Sequence, residues 1–398
     1  MSSLARSVYI VAAKRTPFGA FGGAFKDISA TVLAEKSSTA ALVSVNLDPV
    51  HIQSVIFGNV IQSSSDAAYL ARHVGLKAGA PVSSTALTVN RLCGSGFQAV
   101  VNAAQEIILE DADLVLAGGA ESMSQAPFAV RNARWGIGLG ENRQMEDTLW
   151  SGLTDSYCNL PMGITAENLA EKFNITRQDC DEFALASQQR WANAHKNGYF
   201  ANEIAQVEVK IKNKVVTIDT DEHPRPDVTL EKLQKLPPVF KKNGTVSAGN
   251  ASGICDGAAS LLVASEDACK KHNLKPLARV VSYGVSGVEP SIMGIGPCSA
   301  IRIALKKAGL SLNDMALVEV NEAFAAQYLS VEKELGLDRS ITNSDGGAIA
   351  LGHPLGTSGA RILTHLIYAL QRKQQRYAIG SACIGGGQGI AVVIENMK

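Results

Sequence analysis

Three short glycine-framed segments carry residue types that together make nucleophilic chemistry. Cys93 stands in "NRLCGSGFQ", where an apolar approach meets a turn that opens a helix. A thiol at a helix amino terminus lies near the positive end of the dipole, which favours the nucleophilic thiolate. The same motif suits a buried structural cysteine at a tight turn, and on its own it leaves both uses open. His353 lies in "GGAIALGHPLGTSGAR", at a second such turn, with Pro354 fixing the backbone. Cys383 lies in "GSACIGGGQG", where the bare amides of Gly385, Gly386 and Gly387 can point at an oxygen and form an oxyanion hole. A phosphate cradle is the competing use of such a loop, but the chain has neither the P-loop pattern nor a G-x-G-x-x-G after its first strand. Asn321, in "VEVNEAFAAQ", reads by itself as a turn or cap asparagine. Around Ser252, "GTVSAGNASGICDGAAS" offers small residues on which an extended ligand can lie against backbone.

An internal repeat brings these segments together. "SVIFGNVIQ" contains Asn59, and 34 residues later come Cys93, a helix and the strand-turn "LVLAGGAESM". "ALVEVNEAFA" reaches Asn321, and 32 residues later come His353, a helix and "YAIGSACIGGG". Two similar half-proteins related by a pseudo-twofold axis would place the thiol and the imidazole in one cleft, the arrangement that activates a cysteine.

The elements that must hold the cleft alternate between apolar strands and amphipathic helices, which predicts an α/β protein with buried sheets. Strands are expected at Val8–Ala13, Ser54–Asn59, Leu114–Ala117, Ala278–Tyr283, Ala316–Val320, Tyr377–Ser381 and Ile390–Ile394, and helices at Gly96–Glu110, Ser299–Ala308 and Ala360–Arg372. The first half spans residues 1–119 with 250–272, and the second spans 273–398. Between them, residues 120–249 differ in character. They hold Trp135, Trp150 and Trp191, a polar helix around Arg177–His195, the alternating strand "VEVKIKNKVV" and an irregular Pro- and Lys-rich stretch. A long insertion at the carboxyl end of a strand is where α/β proteins build ligand sites.

Composition excludes several classes. Of 398 residues 46% are hydrophobic and 19% charged, and Lys plus Arg equals Asp plus Glu at 37 each, so neither disorder nor nucleic-acid binding is indicated. No apolar run reaches the roughly 18 residues of a transmembrane segment. The seven cysteines, Cys93, Cys158, Cys180, Cys255, Cys269, Cys298 and Cys383, show no C-x-x-C spacing. Neither a metal site nor a disulfide framework is expected, and a reducing compartment fits. Arg6, Lys14 and Arg15 precede the first acidic residue, Asp27, which suits a mitochondrial address that stays on as a strand.

The blocks "NRLCGSG", "GNASGICDGA", "NEAFA", "GGAIALGHPLGTSGAR" and "CIGGGQG" together resemble the thiolases, over about residues 6 to 395. Stretches such as "VAAKRTPFGAFGG" and "LEKLQKLPPVFKKNGTV" are most similar to the mitochondrial branch that cleaves 3-ketoacyl-CoA in fatty-acid β-oxidation. The resemblance implies an α/β fold of two pseudo-symmetric βαβαβαββ halves in five layers, a loop domain that binds CoA, and a homotetramer in the mitochondrial matrix. It implies that Cys93 takes the acyl group, that His353 activates it, and that Cys383 is the acid/base. Asn321 would hold a water with His353 as one oxyanion hole, and the amides of Cys93 and Gly385 would form the other. Arg225 and Ser252 occupy positions that resemble CoA contacts. Val228 falls where relatives place a polar one, so a bond there would come from backbone. CoA and 3-ketoacyl-CoA are then substrates, with no cofactor. "LPMGITAEN" has Pro161 where short-chain biosynthetic members carry histidine, whereas Gly163 resembles that group. Competing expectations are an acetoacetyl-CoA-specific enzyme, a ketoacyl synthase, against which Cys383 counts, and a CoA-binding scaffold.

Overall fold

The computed structural model describes residues 6–398, the Ile211 side chain aside, so the chain's first five residues lie outside it. The first half runs β1 (Val8–Arg15), α1 (Ala30–Ser44), β2 (Ser54–Gly58), α2 (Leu70–Lys77), β3 (Thr85–Val89), α3 (Ser95–Ile108) and β4 (Leu114–Ser122). An insertion follows, with helices α4 (Met162–Phe173) and α5 (Arg177–Lys196) and strands β5 (Val207–Ile211) and β6 (Lys214–Ile218). The chain returns through β7 (Cys255–Ser265). The second half is β8 (Ala278–Gly287), α6 (Gly296–Ala308), β9 (Leu317–Val320), α7 (Ala325–Leu335), α8 (Ser358–Lys373), β10 (Tyr377–Ile384) and β11 (Gln388–Asn396).

Apart from β5 and β6, which pair with each other, these strands form one continuous path, β9-β10-β11-β8-β1-β7-β4-β2-β3. Its halves meet only where Tyr9 and Ile10 pair with Arg279 and Ala278. In each half a short strand lies parallel to its neighbour, β2 to β4 and β9 to β10, which requires a crossover connection between them. Alternation along a strand assigns its faces to different layers. On β4, Val115 and Ala117 join the core shared with α3 and α8, whereas Leu114, Leu116 and Ala120 face α1 and α2. On β11, Ile390, Val392 and Ile394 face that shared core, and Ala391 and Val393 face α6 and α7. The result is five layers, with α3 and α8 enclosed between the two sheet halves. Those helices cross where neither has a side chain: a Cβ on Gly96 would strike the Ala360 amide, and one on Gly359 the Phe97 amide.

Two local expectations are corrected. "VEVKIKNKVV" is a hairpin rather than one strand, because Lys212 and Asn213 both adopt positive φ, 47° and 65°, and reverse the chain. The Pro- and Lys-rich stretch contains a turn of helix at Leu230–Gln234, capped by Thr229, and it buries Asp221. Asp221 accepts from the fully buried Arg15 on β1 at 2.6 and 3.0 Å, and Glu203 accepts from the same guanidinium at 2.7 Å. Glu203 also meets His365 on α8 at 2.9 Å, so buried ion pairs fasten the insertion to both halves. Among the described residues, no helix is long and apolar enough to cross a membrane.

Candidate active site

Cys93 directly precedes Gly94, the N-cap of α3, in a segment closed by Ser95, whose hydroxyl accepts from the Arg91 amide at 2.8 Å and donates to the Leu92 carbonyl at 2.7 Å. Leu92 itself has φ 44°, a left-handed conformation that a branched side chain adopts at a cost of about 1–3 kcal/mol. This strain beside the thiol was not readable from the sequence, because no glycine or asparagine marks it. The helix start predicts a lowered thiol pKa, but burial wins. Desolvation pushes Cys93 up to about 11, against an N–H donated by Gly385 to the sulfur and with the Glu121 charge adding to the rise. The resting group is therefore a thiol that needs a base.

His353 lines the same pocket as Cys93. Burial, helped by Arg361, depresses its imidazole to about 3, so it is neutral. Its Nδ1 lies 2.6 Å from Ser358 Oγ, and that hydroxyl donates to the Pro354 carbonyl at 3.2 Å. Ser358 thus accepts from Nδ1–H, which leaves Nε2 bare and facing the Asn321 amide nitrogen at 3.3 Å. The other end of that amide, Asn321 Oδ1, is buried without a hydrogen-bond partner. Arg361 is held in turn by the buried Glu319.

Cys383 is fully buried near the end of β10, opposite Gly389 on β11. Burial and the nearby Cys93 sulfur both raise its pKa far above that of a free thiol. Gly385 follows in the β10–β11 turn, where a Cβ would collide with the Met162 methyl group. Cys93 and His353 open onto one pocket of about 310 Å³. Its walls are mainly apolar, with Trp150, Phe240 and Phe324 as the aromatic side. Phe240 stacks on Trp150 with centroids 6.4 Å apart and meets Phe324 edge-on at 6.3 Å. Phe240 and Phe324 fall within the quoted blocks "LEKLQKLPPVFKKNGTV" and "NEAFA", but nothing in the sequence marked them as pocket walls, since isolated aromatics read equally well as core.

The suggested CoA contacts divide. Ser252 lines the pocket, its amide donating to the Ala323 carbonyl at 3.0 Å. Arg225 is exposed, outside the lining, with its guanidinium on the carbonyls of Glu222, His223 and Pro224. Val228 is half-buried, and its N–H already donates to the Arg225 carbonyl at 3.1 Å, so only its own carbonyl remains for a ligand. Among the described residues, no group of three or more His, Cys, Asp or Glu side chains is arranged to hold a metal ion.

Residues 8–267 match the thiolase N-terminal domain and residues 274–396 the thiolase C-terminal domain. The chain belongs to the thiolase family. Within it, the chain is 64% identical over 394 residues to the mitochondrial 3-ketoacyl-CoA thiolase of Mus musculus, covering 99% of each chain. It is 46% identical to the beta-ketothiolase of Cupriavidus necator, over 99% of this chain and all of that one. The crystal structure of human mitochondrial 3-ketoacyl-CoA thiolase superposes with a TM-score of 0.97 at 62% identity, covering 99% of both chains. The human enzyme in complex with CoA gives 0.96, at 62% identity and 98% of both chains. The five-layered thiolase fold expected from the motifs is the fold observed.

Proposed function

We propose that this thiolase cleaves 3-ketoacyl-CoA with CoA, giving acetyl-CoA and an acyl-CoA two carbons shorter, and that it condenses acetyl-CoA in reverse. One observation carries the assignment: the two halves deliver Cys93 and His353 to one apolar pocket, with Cys383 and the Gly385 amide at the sulfur. Bare Nε2 of His353 takes the Cys93 proton as the thiolate attacks the 3-keto carbon. The bond between the second and third carbons breaks, and its electron pair forms the acetyl-CoA enolate. Cys383 protonates that carbon, and its thiolate then takes the CoA thiol proton as the CoA sulfur attacks the Cys93 thioester; Cys93 leaves as the thiolate and recovers its proton from His353. The acyl-bound oxygen lies by the amides of Cys93 and Gly385. The enolate oxygen lies by protonated His353 and a water accepted by Asn321 Oδ1, the buried acceptor otherwise without a partner. CoA is a substrate, and no cofactor enters the reaction.

Ser252 would meet the pantetheine arm, and Arg225 and the Val228 carbonyl the nucleotide end outside the pocket. The apolar lining, with Pro161 offering no polar group, favours medium acyl chains. Thiolysis rates from four to sixteen carbons test this. Activity at eight to ten carbons at least equal to that on acetoacetyl-CoA is expected, and activity confined to four carbons would overturn it.

A place in the mitochondrial matrix is supported by the mitochondrial relatives, and retention of the segment from Val8 onward by β1, the strand that joins the two sheet halves. A native start beyond about residue 10, read by mass spectrometry, contradicts retention, since that cut removes the strand's first turns of pairing. A homotetramer accounts for the exposed edge strand β3 and for Phe128, Trp135, Leu139 and Met145 in the insertion, all more than half exposed. Light scattering that finds a monomer would exclude it.

A further inference from the structure

Sheet register identifies the first-half counterpart of Cys383. Gly58 pairs with Gly119 just before Asn59, and Val320 pairs with Ser381 just before Asn321. Two residues further along each long strand stand Glu121 and Cys383. Where one half places a thiol, the other places a carboxylate that is completely buried. Four N–H groups converge on it. Oε1 accepts from the Ile61 amide at 3.0 Å and Asn59 Nδ2 at 3.2 Å, and Oε2 from the Gly356 amide at 2.8 Å and the Val60 amide at 3.1 Å.

These donors come from two places. Asn59, Val60 and Ile61 form the loop after β2, and Ile61 packs in one small apolar cluster with Cys93 and Leu355. Gly356 belongs to the His353-Pro354-Leu355-Gly356 turn of the second half. The carboxylate therefore ties the wall beside the nucleophile to the turn that carries its base. Space is filled as tightly as hydrogen bonding: a Cβ on Gly356 would meet Glu121 Oε2 at 2.9 Å. All four lone-pair directions face donors and none faces an acceptor, so a proton on this group would find no partner. Burial pulls the other way and pushes the carboxyl up to about 7, but a carboxylic acid here would have to set its own O–H against one of the N–H groups. The geometry favours the ion.

We infer that Glu121 is a positioning residue, an ionised clamp between the halves that sets the placement of His353 relative to Cys93 and adds a fixed negative charge beside the nucleophile. The inference rests on the roles given above to Cys93 and His353. A misplacement of about 1 Å costs a reaction of this kind on the order of 100-fold.

The test compares Glu121→Gln, Glu121→Asp and Cys93→Ala in the full-length protein. Glu121→Gln presents an amide nitrogen to N–H donors and removes the charge. Its kcat should fall about 10- to 100-fold while KM for CoA stays within about threefold. The pH profile for alkylation of Cys93 by iodoacetamide should move to lower pH, because the charge that opposes thiolate formation is gone. Glu121→Asp keeps the charge on a shorter stem, so its alkylation profile should match the wild type while kcat stays reduced. Should Glu121→Gln fail to fold, Glu121→Asp decides by kcat alone. Wild-type kcat and an unmoved alkylation profile in Glu121→Gln, or wild-type kcat in Glu121→Asp, overturns the clamp. Turnover in Cys93→Ala would instead overturn the underlying assignment of the nucleophile, which keeps the two failures separate.

Discussion

The two halves share a backbone plan and carry different side chains on it. Each places an asparagine after its short strand, a reactive turn before its enclosed helix and a special residue late on its long strand. In the first half these are Asn59, Cys93 and Glu121, and in the second Asn321, His353 and Cys383. Both asparagines leave Oδ1 buried and unpartnered. The Asn59 amide nitrogen is spent on Ala120 O and Glu121, however, whereas that of Asn321 faces His353. The first half is also the more regular: β3 pairs with β2 over five residues, while the second half keeps only a single bridge, Val318 to Thr342, in the corresponding place. A duplicated scaffold thus supplies matched positions. On the proposed roles, the first half would contribute the nucleophile and a positioning carboxylate, and the second the groups that move protons.

That division predicts unequal losses. Cys93→Ala should abolish turnover, by roughly 10⁵-fold or more, since no thioester can form. Cys383→Ala should slow proton exchange at the second carbon of acetyl-CoA by about 100- to 10,000-fold, yet leave Cys93 open to alkylation and protected by acyl-CoA. Normal exchange in that variant would return Cys383 to a structural role. The asparagines are the sharper comparison because they differ in partners alone. Asn321→Ala should lower kcat about 100-fold with little change in stability. Asn59→Ala should cost about 1–2 kcal/mol of stability, read by denaturant unfolding, and keep kcat within about tenfold of the wild type. Equal effects on kcat would erase the distinction between the halves.

Much of this was legible in the sequence, for identifiable reasons. Asn59, Cys93, Asn321 and His353 could be paired because the spacing between asparagine and reactive turn nearly repeats, and Gly385 stood out because three glycines in a row announce bare amides. Val8–Ala13 and Leu114–Ala117 were visible as apolar runs, although β4 continues through Gly118 and Gly119 to Ser122, past the point where hydropathy fades. Glu121 was hidden for the opposite reason: a lone glutamate in "GGAESM" looks solvated until the sheet register of the two halves makes it the counterpart of Cys383. The thiol's high pKa was also beyond reach. A helix start argues for thiolate, and only burial, a property of the whole fold, reverses the sign. Leu92's left-handed backbone and the Phe240 stack likewise depend on neighbours distant in sequence.

The enclosed helices extend the comparison to stability. α3 buries no ionisable side chain, whereas α8 buries Arg361 and His365. Burial alone would lower the His365 pKa, but Glu203 at 2.9 Å and Asp345 at 3.2 Å outweigh it and hold the imidazolium up to about 10. Arg372 also reaches Asp345, and Arg15 reaches Glu203, so this charge cluster belongs to the contact of α8 with β1 and the insertion. The sign follows from linkage. His365 is raised from 6.5, so its stabilisation is complete below pH 6.5 and is lost as pH climbs toward 10. Glu203 and Asp345, both held down to about 2, lose theirs only as pH falls from about 4 toward 2. His353, depressed from 6.5 to about 3, loses its own contribution as pH falls through that interval. Thermal stability should therefore peak near pH 6 to 7 and decline on the alkaline side, with His365 contributing from pH 6.5 upward and the buried thiols, whose pKa values burial raises, adding to the loss nearer pH 9. His365→Gln should lower Tm at pH 6 and flatten the slope between pH 7 and 9.5 relative to the wild type. Removing a partner from a buried ionic cluster costs about 3–5 kcal/mol at most, less here because Arg15 and Arg372 remain to neutralise the two carboxylates. Parallel Tm curves for wild type and His365→Gln across that range would show that α8 carries no more pH-sensitive stability than α3.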